Sequence, residues 1–278
     1  MFPDTLNAAK VLSKKEKDER KKDREYQVIF QAFNKLRFDL ESSAESLDIL
    51  EEIITLRASF LINHALTGLR IDFDRALILL NNYNNFTNDR DRQERDILAA
   101  AIENLIDFAA VEEYSMYGEI ARLNENERTT KAEGIFDKYH LVYGIQENRD
   151  VQYSAAVAIW WLSIAEDTLV TFMTQGDERV RAWHLSQEGL TYRKSDFPPE
   201  LIPPLEFGCR CFLITNSASS IRGSLGTDVG SIFYNPIFRE SLAKGGKIFS
   251  EEHPYFKITL PENIEFIKNK LKKKFNLL

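Results

Sequence analysis

The chain has 278 residues, with 43 Asp and Glu against 36 Lys and Arg and a formal net charge of −7. Hydrophobic residues make up 44% and aromatic residues 12%, which excludes intrinsic disorder for most of the chain and supplies enough apolar material for a core. The most apolar stretch, 155–173, contains Glu166 and Asp167, so no membrane-spanning helix is predicted. The first residues also lack a secretory signal pattern.

The N-terminal part of the chain is predicted to be helical. No proline occurs between Pro3 and Pro198, and an interior proline costs a helix about 3 kcal/mol. A charged arm, 1–25, precedes a predicted helical domain, 26–150. Apolar residues at steps of three and four predict one long helix that ends near Gly68, with the stripe Ile29, Phe33, Leu36, Leu40, Ala44, Leu47, Leu50 and Ile54.

Shorter helices are predicted over about 73–80 and 91–117, while 124–133 is predicted to be a loop or the start of a polar helix. An apolar segment, 151–174, predicts a further, largely buried helix.

The last third of the chain is predicted to consist of turns, short strands and loops, because most of the prolines and glycines of the whole chain lie beyond residue 175. A short strand is predicted over 208–214 and a surface loop over 217–230. The predicted fold is therefore mainly α, with long N-terminal helices followed by a smaller irregular α+β C-terminal domain, 151–262. A basic helical tail, 263–278, closes the chain.

Two cysteines and two histidines of the last third are candidate functional residues. Their thiols and imidazoles are typical zinc ligands, which predicts a zinc site at His184, Cys209, Cys211 and His253. Two alternatives stay open. The cysteines are buried reduced thiols beside a hydrogen-bonded histidine, or one thiol and a histidine form a nucleophilic pair.

The residues around His184 and the Cys-Arg-Cys segment form an ordered pattern over about 151–261. The pattern resembles the phage Mu F-like minor head protein family, also called the phage head morphogenesis proteins. The family's leucine before the glycine is replaced here by Gln187 or Glu188. The matching positions are Asp177, Val180, Arg181, His184, Gly189, Gly208, Cys209, Arg210 and Cys211. We expect five of them to form one compact cluster: Asp177, Arg181, His184, Cys209 and Cys211.

The resemblance implies a structural protein of a tailed bacteriophage virion, made in the host cytoplasm and needed for head morphogenesis or for genome packaging or ejection. The expected partners are the portal or other head and neck proteins and further copies of the chain, with no membrane. No catalytic residue and no cofactor other than zinc is expected.

Two alternatives to this function remain. One is a toxin-like transferase or hydrolase that uses His184, Cys209 and Cys211. The other is an accessory factor that contacts DNA phosphates through the basic residues of 14–24 and 268–274. The predicted partner-binding residues are the lysines of the tail: Lys268, Lys270, Lys272, Lys273 and Lys274.

Overall fold

The computed structural model describes residues 13–38, 43–82, 85–86, 88–216 and 234–277. The fold is mainly α with a smaller α+β C-terminal region, as predicted. None of the helices described is long and apolar enough to cross a membrane. In chain order these helices are α1 (Lys14–Arg20), α2 (Arg24–Phe38), α3 (Ser43–Leu69), α4 (Phe73–Asn81), α5 (Asp89–Ala121), α6 (Glu125–Asp137), a π-helix (Lys138–Tyr143), α7 (Gly144–Leu162), α8 (Ala182–Leu185) and α9 (Glu262–Lys274).

Two described helices, α2 ending at Phe38 and α3 beginning at Ser43, cover most of the long helix predicted through residues 29–54, and residues 39–42 between them lie outside the described residues. Leu40 and the side chain of Ala44 lie outside the described residues. Leu47 is only half-buried, and the buried face of α3 in this stretch is instead formed by Ser46, Ile49, Leu50, Ile53 and Ile54. Each of the two described helices has its own apolar stripe, as the spacing predicts.

Helix α3 ends at Leu69, near Gly68 as predicted, but Gly68 itself permits close packing rather than forming the cap. A Cβ at this position would lie 2.2 Å from the carbonyl oxygen of Gln152 on α7, so only glycine fits. The helix ends one residue later, where Arg70 adopts a left-handed φ of 59° and the Ile71 amide donates to the Leu66 carbonyl at 3.2 Å. This is the hydrogen-bond pattern of a Schellman cap.

Residues 124–133 begin a helix rather than form a loop. The Asn124 side chain accepts a hydrogen bond from the Glu127 amide at 2.9 Å, and the Glu127 carboxylate accepts one from the Asn124 amide at 3.3 Å. This reciprocal capping box satisfies amide groups that the first helical turn leaves without partners.

The segment predicted as one helix over 151–174 contains two elements. Helix α7 ends at Leu162, and β1 (Leu169–Met173) follows it. Strand β1 pairs antiparallel with β2 (Thr191–Arg193) and β3 (Phe212–Asn216), and the strand order is β2-β1-β3. Val170 and Phe172 of this central strand are fully buried. A short apolar run of this kind fits a buried strand as well as a buried helix.

Strand β3 begins later than predicted. The sequence placed a strand over 208–214, whereas β3 covers Phe212–Asn216, so Cys209 and Cys211 lie in the segment that leads into it. Both cysteines belong to a hydrophobic core that also contains Trp161, Phe172 and Phe197.

The chain forms two compact units. Unit 1 contains Met1–His64, Ile102–Arg149 and Pro254–Leu278, and unit 2 contains Ala65–Ala101 and Asp150–His253. This division differs from the boundaries predicted at residues 25, 150 and 262. Composition shifts mark changes in local character, but they do not report which helices pack together.

The predicted basic tail forms α9, which is part of unit 1. Ile264, Ile267 and Leu271 are buried. Lys272 is also buried, and its ammonium group lies 3.1 Å from Glu103 and 2.9 Å from Asp107. The helix is therefore anchored by an apolar face and by ion pairs.

Candidate functional site

Three of the predicted site residues converge in unit 2. Nδ1 of His184 lies 3.1 Å from Sγ of Cys211 and 3.9 Å from Sγ of Cys209. The three potential ligand atoms all lie within 4.8 Å of one another. The exposed fraction is 2% for His184, 3% for Cys211 and 5% for Cys209. We call these three residues the thiol cluster.

The extended Cys-Arg-Cys segment directs its side chains to two sides. Residues two apart on an extended chain point the same way, so both sulfur atoms face His184 while Arg210 points elsewhere. Its guanidinium group donates to both carboxylate oxygens of Asp177, at 2.8 and 2.6 Å. A bidentate pair of this kind fixes orientation as well as distance.

Helix α7 holds the backbone of the same segment in place. Both carboxylate oxygens of Asp150 accept hydrogen bonds from the Gly208 amide, at 3.0 and 3.1 Å. The Tyr153 hydroxyl donates to the carbonyl oxygen of Cys211. Gly208 has a φ of 70°, a conformation that favours glycine and turns the chain into the cysteine segment.

A carboxylate lies on the other side of the His184 ring. Oε1 of Glu206 is 2.8 Å from Nε2 of His184 and 2.9 Å from Nη1 of Arg181. The imidazole is therefore placed between two sulfur atoms and a carboxylate, and the carboxylate is itself paired with an arginine.

The surroundings shift the pKa values of all three cluster residues. Burial alone would lower the pKa of His184, but Cys209 and Glu206 outweigh burial and raise it to about 9. The hydrogen bond with Cys211 and the nearby imidazole hold the pKa of Cys209 well below its usual value. The same sulfur–sulfur contact raises the pKa of Cys211. Without a metal, the cluster therefore favours one thiolate beside an imidazolium.

Beside the cluster lies a cavity of about 20 Å³, whose lining includes Gln175, Arg179 and Arg181 as well as the three cluster residues. A volume of this size accommodates about one water molecule. The arrangement of cysteine, histidine and carboxylate is one that nucleophilic enzymes also use. Here, however, both thiols are buried, and the adjoining cavity has room for about one water molecule. This geometry fits metal ligation, or a non-catalytic contact that connects distant segments, better than it fits a reaction centre.

His253, the fourth predicted zinc ligand, does not belong to the cluster. Its ring centroid lies 5.8 Å from that of Phe207 and 5.9 Å from that of Phe249, and burial lowers its pKa to about 3. The prediction of a four-residue ligand set is therefore wrong, because His253 packs among aromatic rings instead.

Two further residues of the predicted motif, Val180 and Gly189, line the small cavity and form a turn, respectively. Val180 contributes to the lining of the small cavity. Gly189 adopts a φ of 85°, and its amide donates to the Phe172 carbonyl at 2.8 Å, which connects the turn to β1.

Sequence reasoning missed Glu206, Asp150 and Tyr153, which position the cluster. Glu206 lies three residues before Cys209, but an isolated glutamate after two prolines carries no recognisable signal. Asp150 and Tyr153 are three residues apart and therefore share a helix face. That spacing does not indicate what the face contacts.

A second buried polar group, in unit 1, was also missed. The Arg57 guanidinium contacts Glu112 at 2.6 Å, Glu147 at 2.6 Å and the Asn148 side-chain oxygen at 2.7 Å. Nearby, Oε2 of Glu113 lies 3.5 Å from Nε2 of His140, which belongs to the π-helix. We call the ionisable members of this group the arginine cluster: Arg57, Glu112, Glu113, His140 and Glu147.

The lysines predicted to bind a partner differ in their surroundings. Within unit 1, Lys268 lies 3.7 Å from Asp107, Lys270 lies 2.6 Å from Glu51, and Lys272 forms the ion pairs described above. The other two, Lys273 and Lys274, are exposed. Of the predicted partner-binding set, Lys272 is therefore buried in ion pairs, Lys268 and Lys270 pair with acidic residues at the surface, and Lys273 and Lys274 face solvent.

Comparison with known proteins finds no matching family model, no matching curated protein and no matching solved structure.

Proposed function

We propose that the chain is a structural protein of a tailed bacteriophage virion, a minor head protein that associates with the portal or with other head and neck proteins. One observation carries the proposal: the residues of the motif that resembles the Mu F-like family meet in space. Asp177 pairs with Arg210, 33 residues further along the chain, and His184 contacts both cysteines.

This convergence supports a structural role for the motif. Unit 2 contains a sheet of only three short strands, together with many turns and short helices. Such an irregular region gains stability from specific cross-links between distant segments. The buried thiols and the water-sized cavity favour a cross-link over a reaction centre.

The proposal is tested on particles of the phage or prophage that encodes the chain. We expect quantitative mass spectrometry of gradient-purified particles to find the protein at a constant ratio to the portal protein. Deletion of the gene is expected to reduce infectious particles, and the wild-type gene supplied in trans is expected to restore them.

A variant series links this result to the motif. Arg210→Gln removes the bidentate pair with Asp177 and is expected to reduce incorporation into particles. Arg239→Gln, in which a half-exposed arginine of the same unit is changed, is the matched control and is expected to leave incorporation unchanged. Absence of the protein from particles, despite its abundance in the lysate, would refute the proposal and favour the enzyme alternative.

A further inference from the structure

We propose that the thiol cluster binds one Zn²⁺ ion through Nδ1 of His184, Sγ of Cys209 and Sγ of Cys211, with a solvent molecule as the fourth ligand. In this assignment Glu206 orients the histidine without touching the metal. The assignment rests on the geometry of unit 2 and does not depend on the proposed role in the virion.

The distances fit a tetrahedral zinc centre. Bond lengths of about 2.3 Å to sulfur and 2.0 Å to nitrogen place the two ligand atoms about 3.5 Å apart. The distances observed from Nδ1 of His184 are 3.1 Å to Cys211 and 3.9 Å to Cys209. These values lie on either side of the tetrahedral distance, so shifts of a few tenths of an ångström complete the geometry.

The chemistry of the three donors also favours zinc. Two thiolates and an imidazole select zinc over magnesium or calcium, which prefer oxygen ligands. Binding releases two protons, one from the remaining thiol and one from the imidazolium, and the two negative sulfurs then balance the charge of Zn²⁺. The buried site therefore becomes electrically neutral without a further charged residue.

Glu206 occupies the position of an orienting carboxylate. A histidine that binds zinc through one ring nitrogen usually donates a hydrogen bond from the other nitrogen to a carboxylate or carbonyl. Oε1 of Glu206 lies 2.8 Å from Nε2 of His184, and Arg181 holds the same oxygen at 2.9 Å. This arrangement directs the lone pair of Nδ1 towards the sulfurs.

The fourth ligand is assigned to solvent because the adjoining cavity of about 20 Å³ has room for one water molecule. His253, which the sequence offered as a fourth ligand, packs against Phe207 and Phe249 instead. The bound ion would connect α8 to the segment that leads into β3. The proposed ion is therefore a structural cross-link.

X-ray absorption spectroscopy of the full chain, purified from zinc-supplemented cells, tests the ligand set directly. We expect about one zinc ion per chain, with two sulfur ligands, one imidazole nitrogen and one oxygen. A chain that contains no zinc and takes up none on titration would overturn the proposal. Two imidazoles in the spectrum would overturn the three-residue ligand set.

Variants separate the roles of the residues. Replacing zinc by Co²⁺ should give thiolate-to-cobalt charge-transfer bands, which Cys209→Ser and Cys211→Ser should each weaken or abolish. Glu206→Gln is expected to lower zinc affinity by about 10-fold to 100-fold in competition with a chromophoric chelator. An unchanged affinity would refute the orienting role of Glu206.

The matched control is His64→Asn, which changes a half-buried histidine of unit 1 whose Nε2 lies 3.2 Å from Glu25. We expect this variant to keep the wild-type zinc affinity and cobalt spectrum. Equal loss of affinity in His64→Asn and Glu206→Gln would show a general effect on the fold and would count against the assignment.

Discussion

The two buried polar clusters, the arginine cluster of unit 1 and the thiol cluster of unit 2, differ in how their buried charges are balanced. In the arginine cluster the cation is a side chain, because Arg57 is placed between Glu112 and Glu147. In the thiol cluster two sulfurs and an imidazole face one another, and the nearby arginines Arg181 and Arg210 pair with Glu206 and Asp177 instead. The first cluster contains a permanent cation, whereas in the zinc site proposed above the second binds its cation from solution.

Burial and neighbouring charges set the protonation of the arginine cluster. Glu112 and Glu147 raise the pKa of Arg57 despite its burial, so the guanidinium stays charged. Burial raises the pKa of Glu113 to about 8 and lowers that of His140 to about 3. Burial and the neighbouring Glu112 also hold the pKa of Glu147 well above its usual value, so Arg57 does not face two full negative charges, and Glu113 is held neutral next to a neutral histidine.

We expect the largest effect on the free energy of unfolding from removing the Arg57 guanidinium group. Arg57→Met leaves buried carboxylates without their partner and is expected to lower the free energy of unfolding by about 3–5 kcal/mol. Urea denaturation measures this change. The variant should retain its zinc, because the proposed zinc ligands lie in the other unit.

Lys35→Met is the matched control for Arg57. Lys35 forms an exposed ion pair with Glu52 at 3.1 Å in the same unit. Such pairs contribute about 0–1 kcal/mol. Similar costs for the two substitutions would contradict the view that Arg57 is the required cation of a buried cluster.

The next effect concerns pH, and it depends on the pair formed by Glu113 and His140. At pH values between about 4.5 and 6.5 this pair binds about one proton in both states, on His140 when unfolded and on Glu113 when folded. Between about 6.5 and 8 only the folded state keeps the proton. Stability should therefore fall with rising pH in this window, by about 1.4 kcal/mol per unit.

Glu113→Gln tests this dependence because it removes the titrating group of the folded state. Between about pH 6.5 and 8 its free energy of unfolding should fall with rising pH by about 1.4 kcal/mol per unit less than that of wild type. The exposed Glu125→Gln is the control and should follow the wild-type slope. Equal slopes for wild type and Glu113→Gln would show that Glu113 is ionised in the folded chain.

A smaller effect is expected in α9. Asp107 and Glu103 raise the pKa of Lys272 against the opposing effect of burial, so its ammonium group is paired rather than solvated. Lys272→Met should therefore cost about 1–2 kcal/mol. Lys273→Met, at the exposed neighbouring position, should change stability by less than about 0.5 kcal/mol. Equal values would show that the ion pairs of Lys272 do not anchor α9.

The sequence predicted the mainly α class because helical periodicity and the absence of proline are local signals. It also identified His184, Cys209 and Cys211, because thiols and imidazoles are rare in this chain and chemically distinctive. It did not distinguish the strand β1 from the end of a helix, since a short apolar run fits both.

What the sequence could not supply was the pairing of common residues over long distances. Arg57 meets Glu112 and Glu147 from positions 55 and 90 residues away. Glutamates and arginines are abundant on solvated helix faces, so nothing in their spacing marks these three as buried partners. Similarly, the aromatic surroundings that separate His253 from the thiol cluster arise only from tertiary packing.

Native mass spectrometry of the intact chain tests the central difference between the two clusters most directly. The mass of the folded chain, purified from zinc-supplemented cells, is compared with the mass of the same sample after acid denaturation. We expect the folded chain to be heavier by one zinc ion less two protons, and Arg57→Met to show the same difference. Equal folded and denatured masses, in wild type after zinc titration, would contradict the claim that unit 2 takes its cation from solution.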